Sequence, residues 1–149
     1  FPEVLRAKNE ISAGGVPLKI DLIFPVLHGT YGEDGQLQSD LDQIGIPYVG
    51  SGVKASADAM DKALAKTLFS AAGLKVAPGI VVHKADPHPD ANSLSYPVFV
   101  KPSSGGSSRG THKVKSAENL SAAINDAFLY DSKVLIETAI DGREMSVQF

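Results

Sequence analysis

The stretch Val98–Gly110, VFVKPSSGGSSRG, decides how this chain is read. After Pro102 it sets four serines and three glycines into the eight positions from Ser103 to Gly110, with Lys101 at the entrance. Glycines let consecutive backbone N–H groups turn toward one anion and serine hydroxyls add donors, so such a concavity suits a polyphosphate. Lys101 would add the fixed positive charge that lysine brings to phosphate. The order is unusual, because the common phosphate loop runs G-x-x-x-x-G-K-[ST] and opens a helix. Here the lysine comes first, and strand-like runs flank the loop, YPVFVKP before it and THKVK after it. The pattern predicts an antiparallel hairpin with a long, mobile tip. Taken alone, a plain flexible hairpin tip accounts for the same residues.

Beyond the hairpin, SAENLSAAINDAFLYD predicts a helix with Ser116 as N-cap and Leu120, Ile124 and Phe128 on its buried side. KVLIETAI reads as a strand, DGRE as a turn and MSVQF as the next strand. Upstream, LKIDLIFPVLHG is an apolar, β-branched run that predicts a buried strand ending at His28. TYGEDG supplies turn residues, and QLQSDLDQIG repeats Leu37, Leu41 and Ile44 at helical spacing before Gly45. IPYVGSG is a short strand and turn. This strand–helix–strand order predicts a parallel α/β layer, with ligands favoured at the strand carboxyl ends. SADAMDKALAKTLFSAAGL predicts one further helix, with Met60, Leu64 and Leu68 on one face and Lys62 and Lys66 on another. KVAPGIVV reads as a strand, and HKADPHPDANS as a polar loop.

With 149 residues, 43% of them hydrophobic, the chain can bury one good-sized core or two small ones. A net charge of -3 leaves no basic footprint, which argues against nucleic acid and anionic membrane as partners. No apolar run approaches bilayer-spanning length and no signal segment opens the chain. The absence of cysteine excludes disulfides, zinc–thiolate sites and thiol catalysis, and fits a cytoplasmic setting. Phe1 is not a natural start, and EMSVQF stops inside a strand-like run, so a fragment of a longer chain is expected.

Residue by residue, the chemistry is ambiguous. His28, at a strand end, can face a ligand cleft as donor or cation, with Glu33 and Asp34 to orient it; a surface turn is the competing reading. Lys62 alone reads as a solvated lysine. Glu137 closes the apolar run VLI and needs a partner, either a ligand donor or a lysine. Glu144 follows across a glycine-containing turn, so the two carboxylates can edge one pocket. No residues pair as nucleophile and base, and none show metal-ligand spacing.

In succession, FPVLHGTYGEDGQLQ, IPYVGSGVKASADAMDK, YPVFVKPSSGGSSRGTHKV and YDSKVLIETAIDGRE closely resemble the D-alanine–D-alanine ligases of the ATP-grasp superfamily, from about Asp21 to Phe149. D-Alanine–D-lactate ligases share most of these motifs. The resemblance implies an α/β fold, α+β in its second half. Residues 1–57 would be a parallel α/β pre-ATP-grasp remnant, the C-terminal part of the substrate-binding domain. Residues 58–149 would form the central ATP-grasp subdomain, with an antiparallel sheet and the ATP site, and the C-terminal ATP-grasp domain would be absent. It further implies an enzyme that joins two D-alanines at the expense of ATP, for peptidoglycan, with magnesium bridging the phosphates. Its magnesium ligands would lie in the missing C-terminal part, and a homodimer is possible.

By matching positions, His28 resembles the histidine near the first D-alanine's carboxylate. Lys62 of MDK and Lys101 of VKP resemble the two lysines that contact ATP phosphates. Ser103–Gly110 resembles the glycine-rich flap, with Ser107 linking to the substrate side and Ser108 contacting phosphate. Glu137 and the backbone from Thr138 to Ile140 resemble the adenine-binding segment, and Glu144 the ribose ligand. In relatives a longer polar or charged side chain is common at Ser104, and a small or aliphatic one at Arg109. The fragment alone is expected to be inactive. A non-catalytic ATP-binding module is the alternative from outside the enzymes.

Overall fold

A computed structural model describes residues 4–7, 10–13 and 15–145. The chain separates into two compact units, Phe1–Ala65 and Lys66–Phe149, a division farther along than the boundary expected at residue 57.

The first unit opens with an antiparallel meander of β1 (Val4–Ala7), β2 (Glu10–Ala13) and β3 (Val16–Leu18). Strands this short carry too few alternations to be read in advance. The buried strand expected to end at His28 is not built. Ile23 instead makes one parallel bridge to Tyr48, with Ile23 N–H donating to Pro47 O and Val49 N–H donating to Ile23 O, both at 2.9 Å. The next rung of such a ladder would need the N–H of residue 25, and Pro25 has none. Leu22, Phe24, Val26 and Leu27 are exposed. The parallel pairing of this unit amounts to that bridge among the described residues.

Helix α1 (Gln36–Ile44) buries Gln38, Leu41 and Ile44 and ends at Gly45, whose φ of 80° lets its N–H reach Leu41 O at 2.9 Å. At its start, a Cβ on Gly35 would stand 2.6 Å from Val53 O, so glycine is what lets α1 begin against α2 (Val53–Met60). The single helix expected over SADAMDKALAKTLFSAAGL is broken in two. Asp61 is extended (φ -83°, ψ 101°), and its Oδ1 accepts the N–H groups of Ala63 at 3.1 Å and Leu64 at 3.2 Å. It thereby caps α3 (Lys62–Ala71), and the aspartate of MDK is a helix start.

The second unit is organised by an antiparallel sheet in the order β4 (Gly79–His83), β7 (Lys133–Thr138), β5 (Val98–Pro102), β6 (His112–Val114). The expected hairpin is present, with Val98 opposite Val114 and Val100 opposite His112. Helix α4 (Leu120–Ala127) covers one face. Leu120, Ile124, Ala127 and Phe128 pack on Val82, Val98, Val100, Val114, Val134 and Ile136. Ser116 heads a short 3-10 turn, Ala117–Asn119, without a side-chain cap bond. The strand expected over MSVQF lies outside the described residues apart from Met145. No helix of the described residues is long and apolar enough to cross a membrane.

Candidate functional site

Alternation along two neighbouring strands creates the site. On β5, Val98, Val100 and Pro102 are buried while Phe99 and Lys101 turn to the other side. On β7, Val134 and Ile136 join the core under α4, so Lys133, Leu135 and Glu137 share the opposite face. The register sets Phe99 against Glu137 and Lys101 against Leu135, which makes Lys101 and Glu137 diagonal neighbours. On the other flank Gly79 pairs with Glu137. A Cβ there would stand 2.5 Å from Ile136 O and 3.1 Å from Glu137 Cγ, so glycine leaves the room this carboxylate occupies.

Glu137 is buried and binds two cations. Lys101 Nζ pairs with its Oε2, and Lys66 Nζ donates to its Oε1 and also to Ala77 O. Burial pushes the Glu137 carboxyl up; hydrogen bonds from Lys101 and then Lys66, with their charges, more than offset this and hold it below the usual carboxylate range. The result is an ionised acceptor with a lysine on each oxygen. Lys66, which the sequence set on the same helix face as Lys62, has a side chain only 19% exposed.

The hairpin tip is pinned at its base and open at its crown. Ser103 is fully buried, with its N–H on Lys133 O at 2.8 Å. Asp131 takes the Ser104 N–H at 2.7 Å on Oδ2 and the Lys133 N–H at 3.1 Å on Oδ1, tying the loop to the start of β7. At the far end a Cβ on Gly110 (φ 67°) would fall 2.5 Å from Tyr130 Cδ2, and the Arg109 guanidinium sits 5.7 Å from the Tyr130 ring centroid. Between these anchors, Gly105 to Arg109 are exposed. Ser107 and Ser108 both have φ 54°. With Arg109 N–H on Gly106 O at 3.4 Å, they form the centre of a tight turn that is left-handed at both positions.

Of the other expected residues in this unit, Thr138 donates its N–H to Pro78 O at 2.9 Å, while Ile140 and Glu144 are exposed. The structure therefore brings Lys101 and Glu137 into contact and leaves Ser107, Ser108, Ile140 and Glu144 on the surface.

In the first unit, His28 lies at the head of an ordered turn. Its Nδ1 is 3.8 Å from Glu33 Oε1, and its side chain is 89% exposed. Asp34 shapes the turn by accepting the N–H groups of Tyr31 at 2.9 Å and Gln36 at 3.1 Å. Slight burial raises the Asp34 carboxyl, and these hydrogen bonds outweigh it and lower it. Tyr31 Oη donates to Asp40 at 2.7 Å. Lys62 is half-buried at the first position of α3.

Lys66 and Asp131 were missed by sequence reasoning. Lys66 had a signal, since it lies one helical turn after Lys62 on the same face. Its partner lies 71 residues away, beyond any local pattern. Among the described residues, no three or more His, Cys, Asp or Glu gather in a way that could hold a metal ion.

Two family models match the chain, "D-ala D-ala ligase N-terminus" over residues 3–51 and "D-ala D-ala ligase C-terminus" over residues 68–149. The chain is 48% identical over 136 residues to a D-alanine–D-alanine ligase of Mycobacterium ulcerans, covering 89% of this chain and 36% of the relative. Its structure is similar to that of the D-alanine–D-alanine ligase from Coxiella burnetii, at a TM-score of 0.88 and 34% identity over 94% of this chain and 44% of the other. It is also similar to the VanG D-Ala:D-Ser ligase from Enterococcus faecalis, at a TM-score of 0.80 and 38% identity over 91% and 40% of the two chains. The chain thus spans 36–44% of the length of these relatives.

Proposed function

The chain belongs to the D-alanine–D-alanine ligase family, and from that premise we propose that it supplies the nucleotide-binding part of an ATP-dependent ligase that joins two D-alanines for peptidoglycan. The observation that carries this reading is the sheet face where Glu137 is held ionised between Lys66 and Lys101, beside a Gly/Ser hairpin tip. A lysine at the end of a rigid strand can hold a phosphate as a point charge, and a buried carboxylate can take the amino group of a base. These residue types fit ATP. In this reading Lys101, Lys62 and Ser108 contact phosphates. Glu137 and the backbone from Thr138 to Ile140 hold adenine, and Glu144 holds the ribose.

His28 meets the carboxylate of the first D-alanine, and Ser107 joins the tip to the substrate side. The first D-alanine's carboxylate attacks the γ-phosphorus of ATP, and the bond to the ADP oxygen breaks. The second D-alanine's amine then attacks the acyl carbon, loses a proton and expels phosphate. The chain's share is to fix the partners, neutralise charge and close the hairpin tip over an intermediate that water would destroy. Magnesium would supply neutralising charge at the phosphates when bound; among the described residues no cluster of three or more His, Cys, Asp or Glu gathers to hold it.

The test has two parts. Titration calorimetry on the chain is expected to show ATP binding, with no D-alanine-dependent ADP release from the chain alone. A hybrid in which these residues replace the matching segment of a full-length relative is expected to make D-alanyl-D-alanine. A hybrid that folds but makes no dipeptide overturns the reading. The likeness to a D-Ala:D-Ser ligase favours a second reading, with another second substrate. Offering the hybrid D-alanine, D-serine and D-lactate in competition decides it for the residues present here. Sedimentation of the chain tests the homodimer.

A further inference from the structure

We propose that Lys66 is a positioning residue that keeps Glu137 ionised and aimed while Lys101 leaves it, so that the site takes a 6-aminopurine nucleotide over a 6-oxopurine one. This rests on the reading above, in which Lys101 turns to phosphate and Glu137 to the base. One carboxylate here serves two lysines, one oxygen each, with Lys66 on Oε1 and Lys101 on Oε2. The two lysines are held differently. Lys66 is fixed a second time by Ala77 O, so two of its three donors are directed. Lys101 stands at the strand end where the hairpin tip begins, beside the place an incoming triphosphate would occupy.

A triphosphate carries several negative charges, against one on Glu137, and draws Lys101 away. Oε2 then needs a new donor, and the exocyclic amino group of adenine supplies one. At that moment the carboxylate is buried with a single remaining cation. Without Lys66, burial would favour the protonated form. A protonated carboxyl both donates and accepts, so it would serve a 6-oxo group as readily as a 6-amino group. An ionised carboxylate only accepts, and it repels a 6-oxo oxygen. Lys66 therefore sets base choice through the protonation state of its partner without touching the nucleotide.

The experiment compares ATP with inosine triphosphate, which replaces the 6-amino group by an oxygen, on the unsubstituted chain, Lys66→Met, Lys66→Gln and Lys66→Arg. Calorimetry across about pH 5 to 8 reads the preference for ATP. The unsubstituted chain is expected to favour ATP by about 10-fold or more over that range. Lys66→Met is expected to lose about 10-fold for ATP and little for inosine triphosphate, with the preference collapsing most at the acid end. Lys66→Gln still donates to Ala77 O without a charge, and keeps the test decisive if the methionine variant does not fold. Lys66→Arg is expected to restore the preference. An unchanged preference in Lys66→Met and Lys66→Gln at every pH overturns the inference alone. So does an equal, pH-independent loss of both nucleotides in every variant, which would mark a merely structural lysine. Failure of the unsubstituted chain to bind either nucleotide overturns the ligase reading and this inference with it.

Discussion

Replacing Glu137 by Gln tests whether the charge cluster at the end of β7 holds the second unit together as well as shaping its site. The substitution keeps volume and one carbonyl oxygen, which can still accept from Lys66. Its amide nitrogen then faces the Lys101 ammonium, a donor against a donor. Breaking a fully buried ion pair from one side costs about 3–5 kcal/mol, and an exposed pair is worth about 0–1 kcal/mol. The lysine side chains here are 19% and 26% exposed, against 10% for Glu137, which places the cluster between those limits. The expected loss is about 2 kcal/mol, since glutamine keeps one of the two hydrogen bonds. For a unit the size of Lys66–Phe149, that corresponds to a fall in Tm of roughly 10 °C, readable by circular dichroism.

The pH dependence sharpens the test. The folded-state pKa of Glu137 lies below its unfolded value, because the lysine hydrogen bonds and charges overcome the burial that would raise it. The carboxylate's contribution is therefore full above the ordinary carboxylate range and is lost as pH falls through the lowered folded value. The gap in Tm between the unsubstituted protein and the Glu137→Gln variant should hold from neutral pH down to that range, then close in stronger acid. Equal melting at neutral pH, or a gap that persists unchanged in acid, refutes the reasoning.

Four further outcomes follow from the packing. Ile124→Ala removes a side chain with no exposure from the sheet–helix core and should cost about 2–5 kcal/mol in chemical denaturation. Gly110→Ala drives a Cβ to 2.5 Å from Tyr130 Cδ2 at a φ of 67°, and should lower stability by about 1–3 kcal/mol while leaving α4 amides protected in hydrogen exchange. Ser107→Gly keeps a turn whose φ of 54° suits glycine and removes only the hydroxymethyl group. In the ligase hybrid it should reduce D-alanine-dependent turnover by about 100-fold and leave ATP affinity within about 2-fold. His112→Gln breaks a pair to Asp126 in which both side chains are 41% exposed, and should cost no more than about 1 kcal/mol by thermal melting.

The second unit was legible because its signals are local. Period-two burial along VFVKP and KVLIET, and the helical spacing of Leu120, Ile124 and Phe128, each lie within a few residues. The hairpin was legible for the same reason, since both strands flank one glycine-rich tip. The first unit was less so. LKIDLIFPVLHG has the composition of a buried strand, yet Pro25 removes the donor for the second rung and the apolar side chains stay exposed. The continuous helix across MDK failed on one side chain, because Asp61 bonds the backbone more favourably as a cap than as an interior residue. Local sequence already singled out Lys101 and Glu137, whereas Lys62 was raised above a solvated lysine by family likeness alone.

What no local pattern could supply is the partnership at Glu137, and its physics explains why it lies where it does. A carboxylate at the end of a central strand must be compensated, and the alternation that buries Val134 and Ile136 under α4 sends Glu137 to the other face. Lys101, two residues beyond its cross-strand neighbour Phe99 on β5, reaches it diagonally, and Lys66 reaches it from α3. The same register that builds the hydrophobic core therefore fixes the spacing of the charges. A one-residue slip of β5 against β7 would carry Lys101 into the core and a valine onto the charged face. Core and site are two faces of one ladder, so the sheet cannot lose its register without losing its chemistry.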